Sequence, residues 1–130
     1  MTDVEQIRHA LARYWQYLDD RREREWVELF DDSDVLLQYQ STVARSRHDL
    51  DAIADDLKNH AGGKHVSSNE IIDVDGAHAT AHSDVMFLAP DANGTVSIAF
   101  YGRCDDTLRR TDSAWGFTSR VIRFQGGYHG

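Results

Sequence analysis

The stretch KHVSSNEIIDVDGAHATAHSDV, residues 64–85, decides the fold. Its apolar residues recur with a period of two, the spacing of a half-buried strand. Asp75-Gly76 interrupts it as a two-residue hairpin signal. Residues 65–74 and 77–88 therefore read as an antiparallel pair. With Val74 opposite Ala77, Asn69 faces His82, Ser67 faces Asp84 and His65 faces Met86, all on one polar side. Val66, Ile72, Val74, Ala79, Ala81, Val85 and Phe87 fall on the other. The polar side is either the wet face of a sheet or the floor of a pocket, and a bulge would change which residues point where.

The pattern extends in both directions. Downstream, Pro90 through Gly94 makes a turn before a strand over 95–109, and Thr111 to Ala114 turns into a closing strand from Trp115 to Phe124. Upstream, Val4, Ile7, Leu11, Tyr14/Trp15 and Leu18 have helical spacing, with Thr2 and Glu5 placed for a capping box. Asp19-Asp20 breaks that helix, and a short one follows through Trp26, Val27, Leu29 and Phe30. Residues 31–34 read as a turn and 35–40 as a strand. Ser46 and Asp49 start a third helix with a stripe of Leu50, Ile53, Ala54 and Leu57, stopped at Asn59-His60-Ala61-Gly62-Gly63. Helices first and long strands afterwards make an α+β domain over residues 1–130. N-terminal helices would pack on a strongly curved, mostly antiparallel sheet, an α+β barrel or cone.

Composition narrows the function. Twenty-two acidic against 14 basic residues give a net charge of −8. That sign repels phosphate backbones and anionic lipid, so neither nucleic acid nor membrane is expected as a partner. MTDVEQIRHA lacks the apolar core of a signal peptide, and no run approaches the ~20 apolar residues of a span, so a cytoplasmic setting is expected. Cys104 is the single cysteine. It allows no internal disulfide and no cysteine zinc cluster, and on a strand it reads as a small core residue.

Any chemistry therefore rests on acid–base groups. On the residues alone, Asp19 reads first as a cap for the short helix that follows, because a carboxylate closing the first helix opposes the dipole there. His9, His48, His60 and His129 read as solvated, whereas His65, His78 and His82 lie on strands. His82 and Asp84 at i, i+2, with His65 as a third donor, could be tested as a metal site. Without HExxH or a cysteine pair, no metal is expected. No GxSxG nucleophile and no glycine-rich phosphate cradle occurs. Arg120 and Arg123 lie on opposite faces of the last strand. The inward one needs a carboxylate or an anionic substrate as partner.

Three segments in this order resemble the nuclear-transport-factor-2-like cone fold, and within it the SnoaL-like and scytalone-dehydratase-like group. They are IRHALARYWQYLDDRREREWVELF (7–30), KHVSSNEIIDVDGAHATAHSDV (64–85) and YGRCDDTLRRTDSAWGFTSRVIRF (101–124). The resemblance implies an aspartate–histidine dyad of Asp19 and His65, with Tyr14 and Arg120 completing the catalytic set and no cofactor. Tyr39 resembles a first-strand tyrosine that holds a water. Trp15, Leu18, Phe30, Phe100, Ile122, Met86 and His82 are the expected surroundings of a small, flat, apolar substrate. Scytalone dehydratase has a second histidine across the hairpin, where the register puts Met86, which argues against scytalone itself. The implied activity is dehydratase-type β-elimination on a hydroxy-carbonyl or cyclic compound. Polyketide cyclisation, keto-isomerisation or a non-catalytic binding or accessory role are the alternatives. A homodimer or higher homo-oligomer is expected by the same resemblance. Tyr14 and Asp19 stand about 140° apart on a helix, so their sharing one cavity is expected to require unwinding near Leu18.

Overall fold

Thr2 starts the first helix as its spacing suggests: the hydroxyl accepts the Glu5 N–H at 3.1 Å and donates to Glu5 Oε1 at 3.1 Å. In the computed structural model, which describes residues 1–59, 62–112 and 114–127, this helix, α1, spans Asp3–Asp19 and buries Ile7, Ala10, Leu11, Tyr14 and Trp15. Arg21 then takes a left-handed φ of 57°, and its neighbour Arg22 donates back to Tyr17 O at 2.8 Å, closing the helix end. Helix α2 spans Glu23–Val27 and buries Trp26 and Val27. Helix α3 spans Arg47–Asp56, with the Ser46 hydroxyl accepting from Asp49 N–H, and continues into a 3-10 turn over Leu57–Asn59. His9 and His48 are exposed, whereas His60 and His129 lie outside the described residues.

Six strands form one sheet: β1 Leu36–Tyr39, β2 Thr42–Ala44, β3 Lys64–Asp75, β4 His78–Pro90, β5 Val96–Arg110 and β6 Trp115–Gly127. The order is β2-β1-β6-β5-β4-β3. Only β1 against β6 is parallel; the other pairs are antiparallel. The strip is curved and unclosed, a cone rather than a sealed barrel. The short strand β2 was not anticipated, because Thr42–Ala44 is too short to show a period. No described helix is long and apolar enough to cross a membrane.

The hairpin register corrects the expected one. The turn residues are Gly76-Ala77, with Asp75 opposite His78 and Val74 opposite Ala79. A bulge then falls between Ser68 and Ile71, where Asn69 adopts φ 56°, a left-handed conformation that asparagine tolerates better than most residues. Beyond the bulge His65 faces Phe87, Val66 faces Met86 and Ser68 faces Asp84, while His82 faces Ile71. The pairs Asn69–His82, Ser67–Asp84 and His65–Met86 do not form. One extra residue on a strand exchanges its two faces, so His65 turns inward beside Phe87.

A second bulge aims β6. Thr107 faces Ser119 and Leu108 faces Phe117, so Thr118 has no partner of its own. Phe117 and Arg120, three apart, thereby both turn inward and are fully buried. Arg123 stays exposed. Cys104 is buried in the core with Ala81, Val85, Leu108 and Phe117.

Candidate active site

The last turns of α1 set one wall of a cavity of about 340 Å³. At about 100° per residue, Tyr14, Leu18, Trp15 and Asp19 follow one another around an arc of about 140°. All four line the cavity. The helix stays intact through Asp19, with Asp20 N–H bonded to Gln16 O at 2.9 Å. The expected unwinding near Leu18 is thus unnecessary: the cavity wraps around the helix end, and the intermediate angles are filled by its own wall residues. The rest of the wall includes Trp26 of α2, Tyr39 of β1, Ile53 of α3, Leu57 of the turn after it, Phe87 of β4, Phe100 of β5, and Ile122 and Phe124 of β6.

Asp19 and His65 meet at the polar end. The Asp19 carboxylate Oδ1 lies 2.7 Å from His65 Nδ1, and Oδ2 accepts the His65 main-chain N–H at 2.9 Å. Their side chains are only 9% and 11% exposed. The cap reading of Asp19 is therefore overturned: α2 has no side-chain cap, and the carboxylate is spent on β3 instead. A carboxylate only accepts, so the shared proton belongs on Nδ1, and Nε2 is the ring nitrogen left for a substrate.

Tyr14 is buried, and that burial pushes its phenol well above the ordinary value, opposed in part by the Arg120 guanidinium. Burial likewise raises the Tyr39 phenol, against a lowering hydrogen bond with Thr42. Both therefore stay protonated at neutral pH and can donate hydrogen bonds into an apolar space.

Arg120 does not reach the cavity, contrary to its expected place in the catalytic set. Its Nε and Nη2 bond Asp106 Oδ1 and Oδ2 at 2.8 and 3.1 Å, and neither side chain is exposed. That carboxylate holds two of its three nitrogens, while Nη1 is buried and has no hydrogen-bond partner among the described residues. Burial alone would lower the guanidinium's pKa, but the adjoining Asp106 carboxylate outweighs it and keeps the charge. The guanidinium carbon sits 4.1 Å from the Tyr14 ring centroid and 4.9 Å from that of Phe117, beneath the cavity wall. Asp106 carried a legible signal, since Cys104, Asp106 and Leu108 alternate inward and only the middle one is charged.

Of the expected substrate neighbours, Trp15, Leu18, Tyr39, Phe100 and Ile122 line the cavity; Met86 and His82 do not. Both sit on the outer sheet face with the other even-numbered residues of β4; the bulge in β3 turns His65 away from them, to the side of Phe87. His82 Nδ1 bonds Asp105 Oδ1 at 2.6 Å there, beside the Arg123–Asp105 ion pair. Asp84 pairs with Arg103 and Asn69. Phe30 is core, in ring contact with Tyr14, Trp26 and Phe117. His65, His82 and Asp84 thus do not converge on a metal, and among the described residues no group of three ligating side chains does. Sequence reasoning missed Arg21, Trp26, Gln40, Ile53, Leu57, Gly62, Gly63, Phe87 and Phe124 as wall residues.

Solved structures similar to this one share its fold. A protein of unknown function from Mycobacterium tuberculosis superposes with a TM-score of 0.87 at 25% identity, covering 95% of this chain and 76% of that one. A candidate scytalone dehydratase from Novosphingobium aromaticivorans superposes with a TM-score of 0.84 at 24% identity, covering 98% and 89%. The β subunit of a candidate aromatic-ring-hydroxylating dioxygenase from the same organism gives 0.81 at 21% identity, covering 97% and 91%. Identities this low carry the fold and no activity. A search of the curated proteins finds no match. The family profile of the SnoaL-like domain matches residues 1–121, and this chain belongs to that family.

Proposed function

We propose that the chain is a cofactor-independent lyase that dehydrates a small, apolar β-hydroxy-carbonyl compound, with His65 as general base oriented by Asp19. One observation carries this reading: the 2.7 Å bond between His65 Nδ1 and Asp19 Oδ1 at the polar end of an otherwise largely apolar cavity. A carboxylate on Nδ1 fixes the tautomer and stabilises the imidazolium formed when Nε2 takes a proton. In the proposed step, the proton α to the carbonyl moves to Nε2 and its electron pair passes into the carbonyl as an enolate. The enolate oxygen accepts a hydrogen bond from the Tyr14 phenol, with Tyr39 as a second donor at the other wall. Collapse of the enolate expels the β-hydroxyl, which takes the proton from the imidazolium and leaves as water. The family also contains cyclases and isomerases, which could use the same base with a different fate for the carbanion.

The test is an assay with a panel of cyclic and aromatic β-hydroxy ketones in deuterated buffer, following the conjugated enone by ultraviolet absorbance and label by mass spectrometry. The expected result is enone formation that falls on the order of 10²–10⁴-fold in His65→Ala and Asp19→Asn. Deuterium entering the α-carbon without loss of water identifies an isomerase or cyclase. Full activity in both variants sinks the dyad, and saturable binding without turnover leaves a binding protein.

A further inference from the structure

Beyond its bond to Asp19, the His65 imidazole is packed on both faces. The Trp15 indole lies at a centroid distance of 4.4 Å and an interplanar angle of 17°. The Phe87 ring lies at 4.5 Å and 36°. Two rings whose centroids lie within 4.5 Å of a third, one stacked and one tilted, must either touch each other or flank it. Trp15 and Phe87 share no ring contact among those described, so they flank it. Phe100 covers an edge at 6.0 Å and 61°, and Asp19 occupies the Nδ1 corner.

Two further observations show that this stack is built. The space taken by the Phe87 ring exists because residue 63 is glycine: a Cβ there would fall 2.5 Å from Phe87 Cζ. Trp15 is not retained for its N–H, since Nε1 is buried and finds no acceptor among the described residues. What the indole offers His65 is its face.

The geometry points to Trp15 and Phe87 as positioning residues that clamp the imidazole. Turning the ring about its Cβ–Cγ bond would drive it edge-on into both neighbours, so the clamp keeps Nδ1 on Asp19 and Nε2 toward the cavity. The indole face also attracts the cation formed when Nε2 accepts a proton. This deepens the reading of His65 as the base and rests on it for its catalytic consequence, but the clamp itself needs no substrate.

Long-range ¹H–¹⁵N spectra of the histidine ring test it on the whole protein, at a pH where imidazole is neutral. In the wild type, His65 is expected to give one protonated Nδ1 and one unprotonated Nε2, with ring protons shifted upfield by the two stacked neighbours. Trp15→Leu and Phe87→Leu are each expected to reduce the upfield shift and draw the two nitrogen resonances together, as both tautomers become populated. Trp15→Phe, which keeps an aromatic face, restores the wild-type pattern. Wild-type nitrogen and proton shifts in both leucine variants overturn the clamp. Phe87 is less buried than Trp15, so Phe87→Leu decides the matter if Trp15→Leu fails to fold. Leucine variants that lose the single tautomer while His65→Ala keeps full turnover preserve the clamp and remove the base.

Discussion

The main-chain N–H of His65 donates to one oxygen of Asp19 at 2.9 Å while the ring of the same residue meets the other oxygen at 2.7 Å. One carboxylate thereby fixes both where β3 begins and how its first functional side chain is turned. The last residue of α1 and the second residue of β3, 46 positions apart in sequence, form one unit.

Asp19→Asn tests that unit for stability as well as for turnover. Two hydrogen bonds to a charged, nearly buried acceptor are weakened, at a cost of about 1–3 kcal/mol. Removing a negative charge from a helix C-terminus returns about 0.3–1 kcal/mol. The variant is therefore expected to be less stable, by no more than about 3 kcal/mol, as read by urea unfolding. A more stable variant would show that the dipole penalty outweighs the bonds.

Tyr14→Phe removes a phenol oxygen and leaves the ring on Arg120. Stability is expected to hold within about 1 kcal/mol, since among the described residues no partner of the hydroxyl is lost. Turnover is expected to fall on the order of 10²-fold, the usual loss for one oxyanion donor. Steady-state kinetics should place that loss in kcat rather than KM; unchanged kcat removes Tyr14 from the mechanism.

The Arg120–Asp106 pair is expected to show strong coupling. Arg120→Met or Asp106→Leu alone strands a buried charge and should cost about 3–5 kcal/mol. The double variant strands none and should recover most of that loss. Denaturant midpoints for the three variants measure it, and additive single effects would contradict the pairing.

Asp31 carries the pH dependence. Burial pushes its carboxyl up, but hydrogen bonds from the Ser33 and Asp34 main chain and from the Arg109 guanidinium outweigh that and hold it below the usual carboxylate range. Arg109 Nη2 lies 2.9 and 2.8 Å from its two oxygens. A lowered folded-state value stabilises the fold fully above the unfolded carboxyl's pKa of about 3.9. The contribution disappears as pH falls through the lower folded value. Melting temperatures followed from neutral to acid pH should decline less steeply below about pH 4 in Asp31→Asn than in the wild type.

Much of this was legible residue by residue. Ile7, Leu11, Tyr14 and Trp15 gave α1, and the period of two after Lys64 gave the long strands, because those patterns are local. Asp19 was legible only through resemblance; its own surroundings pointed to a helix cap. Met86 and His82 were grouped with His65 for want of one fact: a single extra residue near Asn69 turns His65 to the opposite face from theirs. Such a bulge costs little locally, yet it exchanges the faces of everything beyond it. The residues alone turned one of Arg120 and Arg123 inward without saying which, and only the pairing of β5 with β6 shows that Arg120 is the inward one and that Asp106 bonds two of its nitrogens.

The sequence by itself determined the helices, the long strands, a single cysteine and a charge of −8. Periodicity and composition are properties of short windows, so they survive without a fold. Tertiary structure alone decided that Asp19 spends its carboxylate on His65, that Phe87 rather than Met86 faces the imidazole, and that Arg120 is sealed beneath Tyr14. Those outcomes depend on register between strands distant in sequence and on the curvature that wraps the sheet around the end of α1, which no short window encodes.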